Sequence, residues 1–238
     1  MSTRNRTLAL VAVTALTASA GPAAVARGTD PPVPHRPPAG HFSTHVDNPW
    51  MPMRPGTRWV FVGRTDEGTE HTVVTVLRRT KVVDGVRTVV VHDVTRRHGR
   101  LLEDTYDWYA QDRRGRVWYF GENTVSYEKG RPSRVGSWRA GRHGAHAGIV
   151  MLAHPRVGDR YRQEYRKGVA EDQARVVSMH GRADVPFGHF RGLLKTRDFT
   201  RLEPGADEYK MYTKGVGVVL EQALHVNERT ALVRMTWR

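Results

Sequence analysis

The sequence predicts an all-β protein, a single domain of antiparallel meanders, and three observations carry that reading. Segments rich in Val, Thr and aromatic residues recur from Phe42 onward. Turn-forming residues punctuate them roughly every 8 to 12 positions. No window holds an apolar period of about 3.6 residues over three turns, so little helix is expected.

Residues 1–26, opening "MSTRNRTLALVAVTALTASA", read as a secretory signal peptide. Arg4 and Arg6 supply a basic start, Leu8 to Ala18 an apolar centre, and small residues follow. Cleavage is expected after Ala20 or after Ala26. The apolar run falls short of the roughly 20 residues that span a bilayer, and no later stretch approaches it. The expectation is a secreted, extracellular protein with no transmembrane segment in its mature form. There is no cysteine, which excludes disulfides, thiol catalysis and lipid attachment through an N-terminal Cys.

Residues 27–41 carry five prolines between Pro31 and Pro38 and are expected to form an extended, unpacked leader. The β domain should then run from residue 42 to residue 238. "TRWVFVG" and "EHTVVTVLRRTKVV" open it, and "DGVRTVVVHDV" follows with Asp84-Gly85 as a tight-hairpin pair. "QARVVSMHG", "RGLLKTRDFTRL", "DEYKMY", "GVGVVLEQALHV" and "TALVRMTWR" continue the series. Between them, Gly136 to Gly148 holds four glycines and two histidines and reads as a long loop.

The chain also matches itself. "RPGTRWVFVGR" from Arg54 aligns with "RVGDRYRQEYR" from Arg156, and "DTYDWY" from Asp104 with "DEYKMY" from Asp207. Between them "DGVRTVVVHDVTR" lies opposite "FGHFRGLLKTRDFTR" at nearly the same spacing. Three ordered matches suggest an internal duplication, with related halves near 54–128 and 156–222. The two would form one curved sheet, a sandwich or an open barrel.

The densest stretch is "LEDTYDWYAQDRRGRVWYFGE", Leu102 to Glu122. Asp112-Arg113-Arg114-Gly115 suits a type I turn closed by a left-handed glycine. That register pairs Ala110 with Trp118, Trp108 with Phe120 and Tyr106 with Glu122. Those aromatics are expected to face the core. The opposite face would then be open, with Tyr109 beside Tyr119 and flanked by Glu103 and Asp107. These four residues are the candidate ligand site, an amphipathic patch suited to a sugar or a small apolar molecule.

The formal charge of +14 falls to +12 without the two signal arginines, which favours anionic partners such as a cell-envelope polymer. Nucleic acid is not expected, because no basic helix, finger or OB-type signature accompanies the charge. A polysaccharide hydrolase or lyase would need two facing carboxylates, drawn from Glu103, Asp107, Glu122, Glu164 and Glu208. His143, His146 and His154 match no zinc spacing, so no metal and no cofactor are expected. His92 and Asp93 are strand neighbours pointing to opposite faces and cannot act together. The preferred expectation is a binder, with no catalytic residues assigned.

"DNPWMPMRPGTRWVF", "EDTYDWYAQD", "VWYFGE", "GDRYRQEY" and "YTKGVGVVLEQ" resemble a group of secreted bacterial proteins of unknown function, found in actinomycetes and other soil bacteria. "VPFGHF" followed by "YTKGVGVV" is similar to the pattern of LolA-like and lipocalin-like curved sheets. The resemblance implies a secreted β-sheet fold with a hydrophobic concave face, and it transfers no activity. Arg116 stands where Asn often follows the turn glycine, and "RAGRHGAHAG" is more basic than the pattern implies.

Overall fold

The structure, a computed structural model, describes residues 30–128 and 130–237; the expected signal peptide lies outside the described residues. Among the described residues there is no α-helix, only a 3-10 turn at Ala39–His41. The strands in chain order are β1 (Phe42–Ser43), β2 (Arg58–Thr65), β3 (Gly68–Val83), β4 (Val86–Arg97), β5 (Arg100–Asp112) and β6 (Val117–Glu128). Then come β7 (Arg131–Ser133), β8 (Trp138–Arg139), β9 (His146–Met151), β10 (Arg160–Arg162) and β11 (Glu164–Tyr165). The last five are β12 (Gln173–Val185), β13 (Gly188–Phe199), β14 (Glu208–Thr213), β15 (Gly217–Ala223) and β16 (Arg229–Thr236).

All pair antiparallel in one sheet, ordered β10-β12-β13-β14-β15-β16-β2-β3-β4-β5-β6-β9-β11. Its two ends are consecutive pieces of chain. Tyr161 pairs with Ala174 of β12, while Glu164 pairs with Ala147 of β9. A kink at Gln163 therefore lets residues 160–165 serve both neighbours and bring the sheet close to a closed barrel. Gly148 makes that seam possible, since a Cβ there would lie 2.3 Å from the Gln163 carbonyl group.

Turn chemistry sets the hairpins. Asp84 and Gly85 both have positive φ (48° and 75°), the mirror-image turn that matches strand twist. At the next hairpin Gly115 is left-handed (φ 82°) and donates its N–H to the Asp112 carbonyl at 2.9 Å. Asp112 then organises the tip: its carboxylate accepts from the Arg114 and Arg116 amides, the Arg116 guanidinium and the Trp118 indole.

The matched segments make equivalent backbone bonds. Gly56 donates to the Val76 carbonyl at 2.8 Å and Val76 to that of Thr57 at 2.9 Å. Gly158 donates to Val176 and Val176 to Asp159, both at 2.9 Å.

Three sequence expectations change. Beyond the hairpin tip the register slips by one: Ala110 faces Trp118 as expected, but Tyr106 faces Asn123, and Glu122 faces Asp107. The cause is an irregularity at Gly121 (φ 123°), where a Cβ would lie 2.4 Å from the Trp138 carbonyl oxygen of β8. The stretch Gly136–Gly148 is not all loop, because β8 and Gly148 of β9 pair with β6, and His146 and Ala147 pair with β11. The described part of the leader, from Asp30, is extended but packed. Asp30 accepts from Gln173 at 3.0 Å and pairs with Arg201, Arg36 pairs with Asp84, and just beyond the leader Phe42 of β1 packs edge-on against Trp118 and Phe120.

Candidate functional site

The four candidate residues do come together, on the side of the sheet opposite to that expected. Glu103, Asp107, Tyr109 and Tyr119 are buried, at most 3% exposed. They share one face of β5 and β6 with Glu122, and that face looks into the barrel. Asp93 on β4 lines the same space and feels the charge of Glu221 on β15, several strands away around the sheet. The opposite face, assigned to the core from sequence, is outside. Trp118 and Phe120 are buried there by Phe42 of β1, and Lys81 lies 3.8 Å over the Trp108 ring. Both faces of the hairpin are thus covered, and a surface ligand cannot reach the tyrosines.

Inside, the Tyr109 and Tyr119 rings stack with centroids 4.8 Å apart, and Trp138 meets Tyr119 edge-on. The Tyr119 hydroxyl donates to Asp107 at 2.7 Å. Thr105 donates to Glu103 at 2.7 Å and bonds Thr124 across the strands. Glu164, carried by the closing strand, completes a group of five carboxyls with Asp93, Glu103, Asp107 and Glu122. Both Asp93 oxygens, one oxygen of each of the other four, and the Tyr109 hydroxyl have no hydrogen-bond partner among the described residues.

Such burial disfavours the charged form of a carboxyl. It raises Glu103 to about 8, with negative neighbours adding to burial and the Thr105 bond opposing it. It raises Asp107 to about 7 against the Tyr119 bond. Asp93, Glu122 and Glu164 are pushed well above the usual carboxylate range by burial first and by neighbouring acids second. Among the described residues no three His, Asp or Glu side chains are arranged to hold a metal ion. The five acids offered for a glycosidase do not flank a cleft: Glu103, Asp107, Glu122 and Glu164 are buried together, and Glu208 pairs with Lys210 at 3.2 Å. His92 turns outward to Asp104 at 3.0 Å while Asp93 turns inward, as their alternation on the strand requires.

The concave surfaces lie outside, around the Asp112 hairpin tip. A groove of about 760 Å³ runs between the leader (Pro34, His35, Pro37, Pro38, His41) and the tip (Arg113, Arg114, Arg116). A second hollow of about 410 Å³ shares Arg114 and Arg116 and adds His154, Asp159 and Arg160. Arg116 is committed to Asp112, and Arg113 donates to the Gly40 carbonyl. Arg114 and Arg160 are exposed, with no carboxylate partner among the described residues. The sequence reading missed this groove because its wall is the leader taken to be unpacked. The run Arg113-Arg114-x-Arg116 was the available signal.

No family model matches the chain. No curated protein matches it either. Two solved bacterial structures are similar to it over most of its length. One, from Bacteroides fragilis, is described as an exported protein with a YmcC-like fold; it shares 15% identity at a TM-score of 0.47, covering 79% of this chain and 98% of its own. The other, from Parabacteroides distasonis, is described as a lipoprotein; it shares 12% identity at a TM-score of 0.43, with the same coverage.

Proposed function

We propose that this chain is an exported protein that holds an anionic polymer of the cell envelope in the groove at the tip of the β5–β6 hairpin. The observation that carries the reading is the groove with the hollow beside it: Arg114 lines both, His35 and His41 line the groove, His154 and Arg160 line the hollow, and neither Arg114 nor Arg160 has a carboxylate partner among the described residues. The outer sheet face adds to the positive field. Lys81 sits over Trp108 and Arg79 over Tyr106, and Arg139 and Arg79 both act electrostatically on Lys81. Groups of like charge left without counter-ions favour an anionic partner more than a neutral sugar. Export rests on the basic and then apolar opening of the sequence, read as a signal peptide.

The test is titration of a labelled poly(glycerol phosphate) or poly-glutamate chain at fixed salt near 0.15 M. Arg114→Ala with Arg160→Ala should weaken binding about tenfold, a change of about 1.4 kcal/mol. Arg182→Ala with Arg191→Ala, a cross-strand pair at the far end of β12–β13, removes the same charge and should leave affinity near wild type. Equal loss in both variants would reduce the effect to net charge and sink the groove as a site.

A further inference from the structure

The two matched halves place the same kinds of residue at the same points of the barrel wall, with one exchange. In the second half Asp198 pairs across the strands with Glu208, and Lys210 with Glu221. In the first half Asp93 pairs with Thr105, and Asp107 with Glu122. "HDVTR" against "RDFTR" sets Asp93 opposite Asp198, and "DTYDWY" against "DEYKMY" sets Asp107 opposite Lys210.

The second half therefore carries its own cation. The Lys210 ammonium, 3% exposed, lies 3.2 Å from Glu208 and 3.8 Å from both Asp198 and Glu221. Gln163 and Thr196 donate the remaining bonds to Asp198. The first half has an acid in the lysine's place, and among the described residues no cation stands beside Asp93, Glu122 or Glu164.

We propose that the first-half interior is a proton-binding site, in which protons shared among Asp93, Asp107, Glu122, Glu103 and Glu164 do what Lys210 does in the second half. The groups facing it are Asp93 from β4, Glu103, Asp107 and Tyr109 from β5, and Glu122 and Tyr119 from β6. Glu164 faces it from β11, Asp172 from the approach to β12, and Glu221 from β15. Apart from the tyrosines all are acids. The unpartnered Tyr109 hydroxyl, 0% exposed, points among them as a donor awaiting an acceptor.

The site is tied to the barrel seam. Glu164 is one of only two β11 residues that pair with β9, so ionisation sets like charges against each other across the closure. The sign follows from linkage. Carboxyls titrate near about 4 in the unfolded chain, and Asp107 and Glu103 near about 7 and 8 in the folded one. Their contribution is complete below pH of about 4 and is lost as pH rises through about 7 to 8.

The experiment is the thermal midpoint of the full mature chain between pH 5.5 and 9, beside Asp107→Lys and Glu122→Gln. The wild-type midpoint should fall by about 5 °C or more across that range. Asp107→Lys, which installs the second half's cation, should flatten the fall and raise the midpoint at pH 9. Glu122→Gln removes one charge at nearly constant shape and should also flatten it, so it decides the matter if the lysine variant does not fold. A flat or rising wild-type curve, or variants that keep its slope, would overturn the proposal. Recovery of the pH 9 midpoint by millimolar calcium, magnesium or zinc would overturn it too, by making the site one for metal.

Discussion

Three glycines and two tyrosines show how narrowly single positions are specified. Gly115 supplies the left-handed turn, Gly121 makes room for β8, and Gly148 lets the closing strand approach. At Gly148 the obstacle is main chain, which cannot swing aside. Gly148→Ala should therefore cost about 1–3 kcal/mol or more in a denaturant titration, the range for overpacking a filled interior. Tyr109 and Tyr119 are stacked partners with opposite expectations. Tyr119→Phe removes the donor to Asp107 and should destabilise by about 1 kcal/mol. Tyr109→Phe deletes a buried hydroxyl without a partner and should leave the unfolding midpoint unchanged or raise it. Equal losses from the two would show that Tyr109 is satisfied in solution. Gly115 and Asp112 were legible in the sequence because a turn is a local event. Gly121 was not, because its reason lies on another strand.

Among the elements, the β5–β6 hairpin was the most legible and also the most misread. Alternation names the residues that share a face, and Glu103, Thr105, Asp107, Tyr109, Val117 and Tyr119 do share one. It does not say which face looks inward when both carry large aromatics. The decision rests with the leader, whose composition signals only an extended chain. It leads into β1, whose Phe42 covers Trp118 and Phe120 and which pairs with the end of β5. Phe42→Ala should loosen this cover while sparing the barrel: limited proteolysis should clip the leader several times faster, with the main unfolding midpoint little moved. The segment after β1 is tied down in the same spirit. Asn48 donates to the carbonyls of Gly115 and Leu152, and the Pro49 carbonyl accepts from Gly215, so it links the hairpin tip to the β14–β15 turn.

For the molecule as a whole, the all-β class and the matched segments could be read from sequence. Closure could not, since it depends on a two-residue strand set off from β10 by a kink at Gln163. The polar part of the interior was also hidden: by register the inward face carries Trp59, Val74, Val76 and Val91 as well as the carboxyls, the tyrosines and Lys210. Lys210→Met would leave Asp198, Glu208 and Glu221 without their cation. It should destabilise the protein by about 3–5 kcal/mol, read as a lowered denaturant midpoint at neutral pH.

The pairing of β2 with β16 joins Arg64 to Arg229, two points separated by most of the described chain. Loop closure on that scale is slow, and contact-rich β proteins of this kind fold in milliseconds to seconds. A nascent chain therefore cannot complete the barrel until its last strand is available, and before then β2 and β15 both present open edges. Under the export proposed above, such a delay keeps the chain unfolded while it is being passed across.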